Sequence, residues 1–307
     1  MNAVVGMREL GPCDEGALRA LVRKVYGDTY SYRRMYEHGG IASLIGSGQV
    51  SLWGDFTDAG EIASHTGFFY KDPRGDYVES GMSLRAPGLR PVTTDTEVWR
   101  RFFAWLAGRF AYVHQNTTSY HPLAQRYAER YMRAVPAGLI VDYAVGERLA
   151  AITCTDAPMH ALMMTTTIAG HPQREVRVPV GPWAEWLAGI ATGLGLVPIE
   201  SRGEAIPLAT TTIEHNAALD LVRRSIDPAG AAFARACARI DLVHVPLDDR
   251  LGAVDGLVAV GYVPVGLRPQ ATRPHELVMQ HLAARPSLAT MRLAPAGAAL
   301  VAGWCKV

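Results

Sequence analysis

Cysteine is scarce, with four in 307 residues. Cys13, Cys154, Cys237 and Cys305 lie far apart, no pair has metal-ligand spacing, and no secretory signal opens the chain. A reducing, cytoplasmic setting is the expectation. Excess charge of one sign is lacking too: 30 Lys+Arg stand against 29 Asp+Glu. That balance argues against a nucleic-acid surface or a basic membrane-binding face, so the expected partner is a small molecule or another protein. No DNA and no membrane are expected. The most apolar tail, Leu293 to Trp304, is far shorter than the roughly 20 residues of a membrane helix and is read as a packed C-terminal segment. The chain has no Gly-x-Ser-x-Gly elbow, and His275-Glu276 lacks the second histidine of a zinc helix. His114 and His121, seven residues apart, do not make a metal pair either, so no metal is expected.

The chain itself is globular in composition, 49% hydrophobic and 19% charged, and long enough for two domains. A first strand is predicted over Met1–Leu10, then a helix over Glu15–Tyr26 with Asp14 as its N-cap. Tyr26, Tyr30 and Tyr32 follow around a Gly-Asp turn. They either line a substrate cleft or pack between helix and sheet with their hydroxyls at the rim. A helix over Tyr36–Ile45 should stop at Gly46-Ser47-Gly48. Alternation then predicts antiparallel strands over Val50–Asp55 and Ile62–Tyr70, with His65 in the middle of the second, and a further hairpin at Asp72–Gly75.

The stretch from Gly75 to Arg130 organises the rest. Asp76–Leu84 reads as a strand, Ala86-Pro87-Gly88 as a turn and Asp95–Phe110 as an amphipathic helix. Tyr112-Val113-His114 is a second strand, and His121–Met132 another helix. A helix that starts just after a strand leaves backbone N–H groups free for an anion. This order, with Glu79 in the strand and Arg90 ahead of the helix, resembles the acyl-CoA-binding core of the GNAT acyltransferase superfamily. The resemblance implies that Arg90, Thr93 and Thr94 belong to the loop around the pyrophosphate of an acyl-CoA co-substrate. That loop ordinarily carries glycines, which let backbone amides approach a phosphate closely. Here it reads Arg-Pro-Val-Thr-Thr-Asp, and Asp95 adds a negative charge.

Beyond Ala150 the pattern starts again. Strands are predicted over Met159–Ile168, Arg174–Pro179, Ala205–Ile213, Asp241–Val245 and Glu276–Leu282, with helices over Trp183–Leu194, Ala229–Arg239 and Arg250–Val260. Tyr112-Val113-His114, a helix and Val135-Pro136-Ala137-Gly138-Leu139 are echoed by Leu242-Val243-His244, a helix and Val263-Pro264-Val265-Gly266-Leu267, about 130 residues later. A repeat at one domain's spacing is the mark of a duplication. The expected fold class is therefore α/β with a mixed (α+β) sheet: two tandem GNAT-like domains, 1–148 and 149–307, each a mostly antiparallel twisted sheet flanked by helices.

Acyl transfer from a thioester to an amine needs a base, an oxyanion donor and an acid for the thiolate. Glu79 is the candidate base, its pKa raised by desolvation among Tyr77, Met82 and Trp99; a solvated strand carboxylate is the alternative. Backbone amides near Met82 and Leu84 are the oxyanion donors by resemblance. Tyr120 or His121 would protonate the thiolate, or His121 would take the base role, unless Thr118 or Ser119 merely caps the next helix and His121 is a polar residue in its first turn. Tyr26, Tyr30, Tyr32 and His65 are the candidate substrate-binding residues. The expected function is an acyltransferase that moves an acyl group from acetyl-CoA or another acyl-CoA to a small-molecule amine, in specialised metabolism. Alternatives are a carrier-protein or aminoacyl-tRNA donor, met by Arg126, Arg130 and Arg133 unless these are simply a solvated helix face, another thioester reaction, or a non-catalytic binding module. The apolar tail and exposed sheet edges are consistent with a homodimer.

Overall fold

The computed structural model describes residues 4–30, 32–70, 77–88, 103–120, 122–144, 159–168, 175–217, 220–284, 286–289 and 291–306. The chain forms two compact units, one of residues 1–115 with 146–156, the other of 116–145 with 157–307. This division falls inside a strand, whereas the duplication places its limit at 148/149.

In the first unit, β1 (Val4–Glu9), α1 (Glu15–Tyr26) and α2 (Gly40–Gly46) precede an antiparallel run of β2 (Val50–Thr57), β3 (Ile62–Phe69) and β4 (Tyr77–Arg85). A helical segment at 103–107 (α3) then leads to β5 (Tyr112–Thr118), whose first four residues pair parallel with β4. The predicted hairpin at Asp72–Gly75 lies outside the described residues, as does the first part of the predicted helix from Asp95. Leu18, Leu21 and Val22 of α1, with Ile41 and Leu44 of α2, bury against Val50, Leu52, Ile62 and Leu84 of the sheet. Alternation along each strand supplies that apolar face.

Two sequence expectations change here. Asp14 does precede α1, but its carboxylate accepts the Gly11 N–H (2.9 Å) and grips Arg8 (2.7 Å) instead of capping the helix. Its pKa is held low by the Arg8 hydrogen bond. The helix expected from Tyr36 begins only at Gly40, after a left-handed Gly39 (φ 76°). Gly40 packs on the Arg34 carbonyl where no side chain fits, and Glu15 accepts the Gly39 and Ala42 N–H groups (2.7 and 2.9 Å), fixing the helix start.

The second unit contains α4 (Leu123–Met132), β6 (Val135–Ala144), β7 (Met159–Thr167), β8 (Glu175–Pro179), α5 (Ala184–Gly193) and β9 (Val197–Ser201). After these come β10 (Ala209–Asn216), β11 (Leu221–Ile226), β12 (Ala231–Ala232), β13 (Ile240–Pro246), α6 (Ala253–Ala259), β14 (Tyr262–Arg268), β15 (Glu276–His281) and α7 (Pro295–Trp304). Its main sheet runs β7-β6-β14-β15-β13-β11-β10-β12, while β8 and β9 form a separate parallel pair. As β4 is parallel to β5, so β11 is parallel to β13, and β6–β7 has its counterpart in the antiparallel pair β14–β15. The order of elements in the first half is the one the sequence resemblance implies, and its strand core recurs in the second.

The two matching Val-Pro-x-Gly-Leu segments meet. β6 and β14 pair antiparallel at Gly138 and Gly266, the equivalent glycines of the repeat. A Cβ on either would overlap the other strand's backbone, Val265 in one case and Ala137 in the other. Glycine is required at both positions by this approach, not by a turn.

The helix predicted over Ala229–Arg239 is absent. The buried Arg224–Asp241 pair (2.7 Å) reaches this segment, Asp241 accepting the Ala236 N–H (3.0 Å) and Arg224 donating to the Ala234 carbonyl. Phe233 lies under the Arg224 guanidinium, 4.7 Å away. Side chains thus take up backbone groups that a helix would have used, and tertiary contacts override propensity. The apolar tail does form a packed helix, α7, with Val301 and Trp304 in the core and the Trp304 indole donating to the Pro264 carbonyl (2.9 Å). Having buried its apolar side chains internally, it lends no weight to a homodimer.

Candidate functional site

The register of the first unit collects several predicted residues on one sheet face. Phe69 of β3 pairs with Glu79 of β4, and Glu79 pairs in turn with His114 of β5. Glu79 is 8% exposed and His114 6%. The strand carboxylate is therefore buried beside an imidazole, not solvated. Tyr32 meets Phe69 edge-on (centroids 6.5 Å apart), which brings the tyrosine segment to this face. Tyr26 and Tyr30 stack on each other at 4.5 Å, and the Tyr30 N–H donates to the Tyr36 hydroxyl (2.9 Å), so this pair packs.

β4 then breaks its regular path. Its pairing with β3 shifts between His65 and Gly67, and Met82 adopts a left-handed φ of 52°. An extra residue of this kind bends a strand and re-aims its backbone groups. His65 secures the bulge: its Nδ1 lies 2.8 Å from the Met82 carbonyl oxygen, which can only accept, so Nδ1 carries the proton. Burial pushes the His65 pKa down to about 4, and its Nε2 makes no hydrogen bond. His65 is 3% exposed, as deep as Leu84 at 5%. The residue read from sequence as a substrate contact is instead a support for the bulge.

The parallel ladder of β4 and β5 ends at Ser80↔Gln115, while β4 continues through Met82 to Arg85. On the opposite face of β4, Ser83 shares a hydrogen bond with Thr66 of β3 (2.9 Å). Beyond Ser80, β4 pairs on the β3 side alone among the described residues, next to the buried carboxylate.

Tyr120 falls in the second unit, 9% exposed, its N–H donating to the Thr118 hydroxyl (3.2 Å). Ser119 does not cap α4; its hydroxyl accepts the His160 N–H (3.1 Å). His121, Arg90, Thr93 and Thr94 lie outside the described residues. Arg126, Arg130 and Arg133 are all exposed on or just after α4.

Sequence reasoning missed His114 as a site residue, although the repeat had singled out its tripeptide. Its equivalent, His244, is also buried, with Nδ1 2.9 Å from a Glu276 carboxylate oxygen. Burial and the nearby Arg268 cation lower the His244 pKa. Burial alone would raise that of Glu276, but His244 and Arg268 together hold it below the usual range. A neutral histidine donating to a carboxylate leaves Nε2 as an acceptor, and this Nε2 is buried without a hydrogen bond. No signal short of the strand register could have joined residues 32 positions apart.

Among solved structures, the chain is similar to the spermidine/spermine N-acetyltransferase SpeG from Vibrio cholerae (10% identity, TM-score 0.39, 54% of this chain and 93% of that one). It is also similar to an aminoglycoside 6'-N-acetyltransferase complexed with coenzyme A (12% identity, TM-score 0.37, 55% and 100%). A third is an N-acetyltransferase from Staphylococcus aureus Mu50 (10% identity, TM-score 0.40, 53% and 98%). No protein-family model matches the chain. No curated protein matches it either.

Proposed function

We propose that this chain is a GNAT-type N-acyltransferase built from two copies, 1–148 and 149–307, that moves an acyl group from a thioester to the amine of a small molecule. The observation that carries this reading is the β4–β5 ladder ending at Ser80↔Gln115, with buried Glu79 before the break and the Met82 bulge just after it. An end to strand pairing beside a bulge leaves backbone donors able to serve an oxyanion, and a buried carboxylate beside it can serve as a base.

In this reading Glu79 takes a proton from the acceptor amine, with His114 at its side. The amine nitrogen bonds to the thioester carbon, backbone N–H groups near Met82 and Leu84 hold the oxyanion, and the C–S bond then breaks. Tyr120 or His121 returns a proton to the thiolate. The amine would approach past Tyr32 and Phe69. Acetyl-CoA or another acyl-CoA is the donor, held by the Arg90–Asp95 loop.

Isothermal titration of acetyl-CoA into the wild type and a Thr93→Gly/Asp95→Gly variant tests the donor. Micromolar binding by the wild type supports an acyl-CoA and opens an acceptor screen. Binding by the variant alone would mean that the loop has given up free CoA, and carrier-bound and aminoacyl-tRNA donors would be tried next. Silence from both would sink the reading.

A further inference from the structure

A cleft of about 400 Å³ opens in the second unit, where the end of β15 faces the loop before β13 and the β6 bulge. Ligand pockets run from roughly 300 to 1,000 Å³, so its size suits a small molecule. Most polar groups in its wall are already engaged. Gln280 clasps both backbone groups of Val141 (2.9 and 2.8 Å). Arg239 donates to the carbonyls of Asp142 and Tyr143, and Asp241 is held by Arg224, Tyr262 and the Ala236 N–H. These bonds make the wall rigid; Arg224 offsets the charge of Asp241, while Arg239, bonded to neutral carbonyls, keeps its positive charge.

Two more charged side chains, of opposite sign, line the cleft beside His281. Arg235 is exposed, with no carboxylate within 4.0 Å among the described residues. Asp142, its side chain 45% exposed, lies 3.6 Å from His160 Nδ1. That approach is not an ion pair: Nδ1 accepts the Asp142 N–H (3.1 Å), so the ring proton sits on Nε2 and goes to the Ser287 carbonyl (3.1 Å). The ring is therefore uncharged, and among the described residues no Lys or Arg nitrogen lies within 4.0 Å of the Asp142 carboxylate, although Arg239 bonds the carbonyl of the same residue. Asp142 also has a left-handed φ of 53°, in the irregular part of β6 where pairing with β7 skips from Ile140 to Ala144.

We propose that this cleft binds a small zwitterion of the α-amino-acid class, its carboxylate on Arg235 and its ammonium on Asp142. A guanidinium matches a carboxylate bidentately, and a carboxylate accepts from an ammonium. A dianion would meet Asp142 unfavourably and a dication would meet Arg235 and Arg239, so the lining suits a ligand carrying one charge of each sign. The site shares no residue with the proposed acyl-transfer machinery.

The test is saturation-transfer NMR and calorimetry on the full chain with the twenty proteinogenic amino acids, beside propionate and propylammonium as single-charge controls. The expected result is binding of one or a few amino acids, weakened at least tenfold by Arg235→Gln and by Asp142→Asn. Both variants change exposed side chains, and unchanged thermal melting would confirm that they fold. Binding that neither variant alters would place the ligand elsewhere and overturn the proposal. Equal binding of propionate or propylammonium would overturn the zwitterion, and silence up to 10 mM (about 3 kcal/mol of binding) would overturn the site.

Discussion

Burial keeps the His65 imidazole neutral down to about pH 4, whereas in the unfolded chain it would protonate near 6.5. The folded pKa lies below the unfolded one, so the unfolded state binds more protons in between and stability falls as pH drops through that window. From pH 7 to 4.5 the loss from this residue alone is about 2 kcal/mol. In urea titrations at those two pH values, His65→Gln should shrink the difference by that amount. An unchanged acid limb would mean that His65 is not buried neutral. Glu79 belongs to the same scale. Glu79→Gln keeps the shape of the side chain and removes the base, so kcat should fall by about 10²–10⁴ while the affinity for the acyl donor stays the same. A matching fall in donor affinity would instead assign Glu79 to binding. Tyr26, Tyr30 and Tyr32 show how far composition reaches: the cluster was visible in sequence, but only packing separates the stacked pair from Tyr32, which reaches Phe69.

At the scale of elements, amphipathic pattern made β2, β3, β4, α4 and α5 legible to within about two residues, because each has one buried face and one wetter one. The failures share a different cause. Residues 229–239 lost their helix to buried Arg224 and Asp241, and α2 was delayed by Gly39 and a carboxylate from α1. In both, a side chain distant in sequence claims backbone groups, and no local window contains it. The Met82 bulge and the Glu79↔His114 pairing are equally non-local, which is why the candidate site was readable as a set of residues but not as an arrangement. The β6–β14 crossing gives a test at this scale. Gly138→Ala or Gly266→Ala should each cost about 3 kcal/mol by forcing the strands apart, measured by chemical denaturation. Since both insert a methyl into the same gap, the double variant should cost less than the sum. Strict additivity would show that the glycines do not share a contact.

For the whole molecule, donor binding and stability are linked. A ligand bound only by the folded chain at 100 times its Kd adds about 2.7 kcal/mol, so a wild type that holds acetyl-CoA should melt at a higher temperature in its presence. No shift in the wild type, with a shift in Thr93→Gly/Asp95→Gly, would locate the defect in the loop and leave the fold in place. The duplication was the largest feature legible from sequence, because its evidence was the order of short motifs and not any one of them. What the motifs could not foretell was that their glycines touch.

An antiparallel meeting of equivalent residues is what two identical subunits make across a two-fold axis. Here both partners belong to one polypeptide, and the encounter is intramolecular. Its occupancy does not depend on protein concentration, because tethering replaces association by an effective concentration. Nor are the partners obliged to stay identical. A substitution in a homodimer appears twice, whereas here it appears once. Ser225 can therefore stand where Glu79 stands in the other copy, beside the matching histidine, and the span between β11 and β13 can dispense with the helix that its counterpart retains.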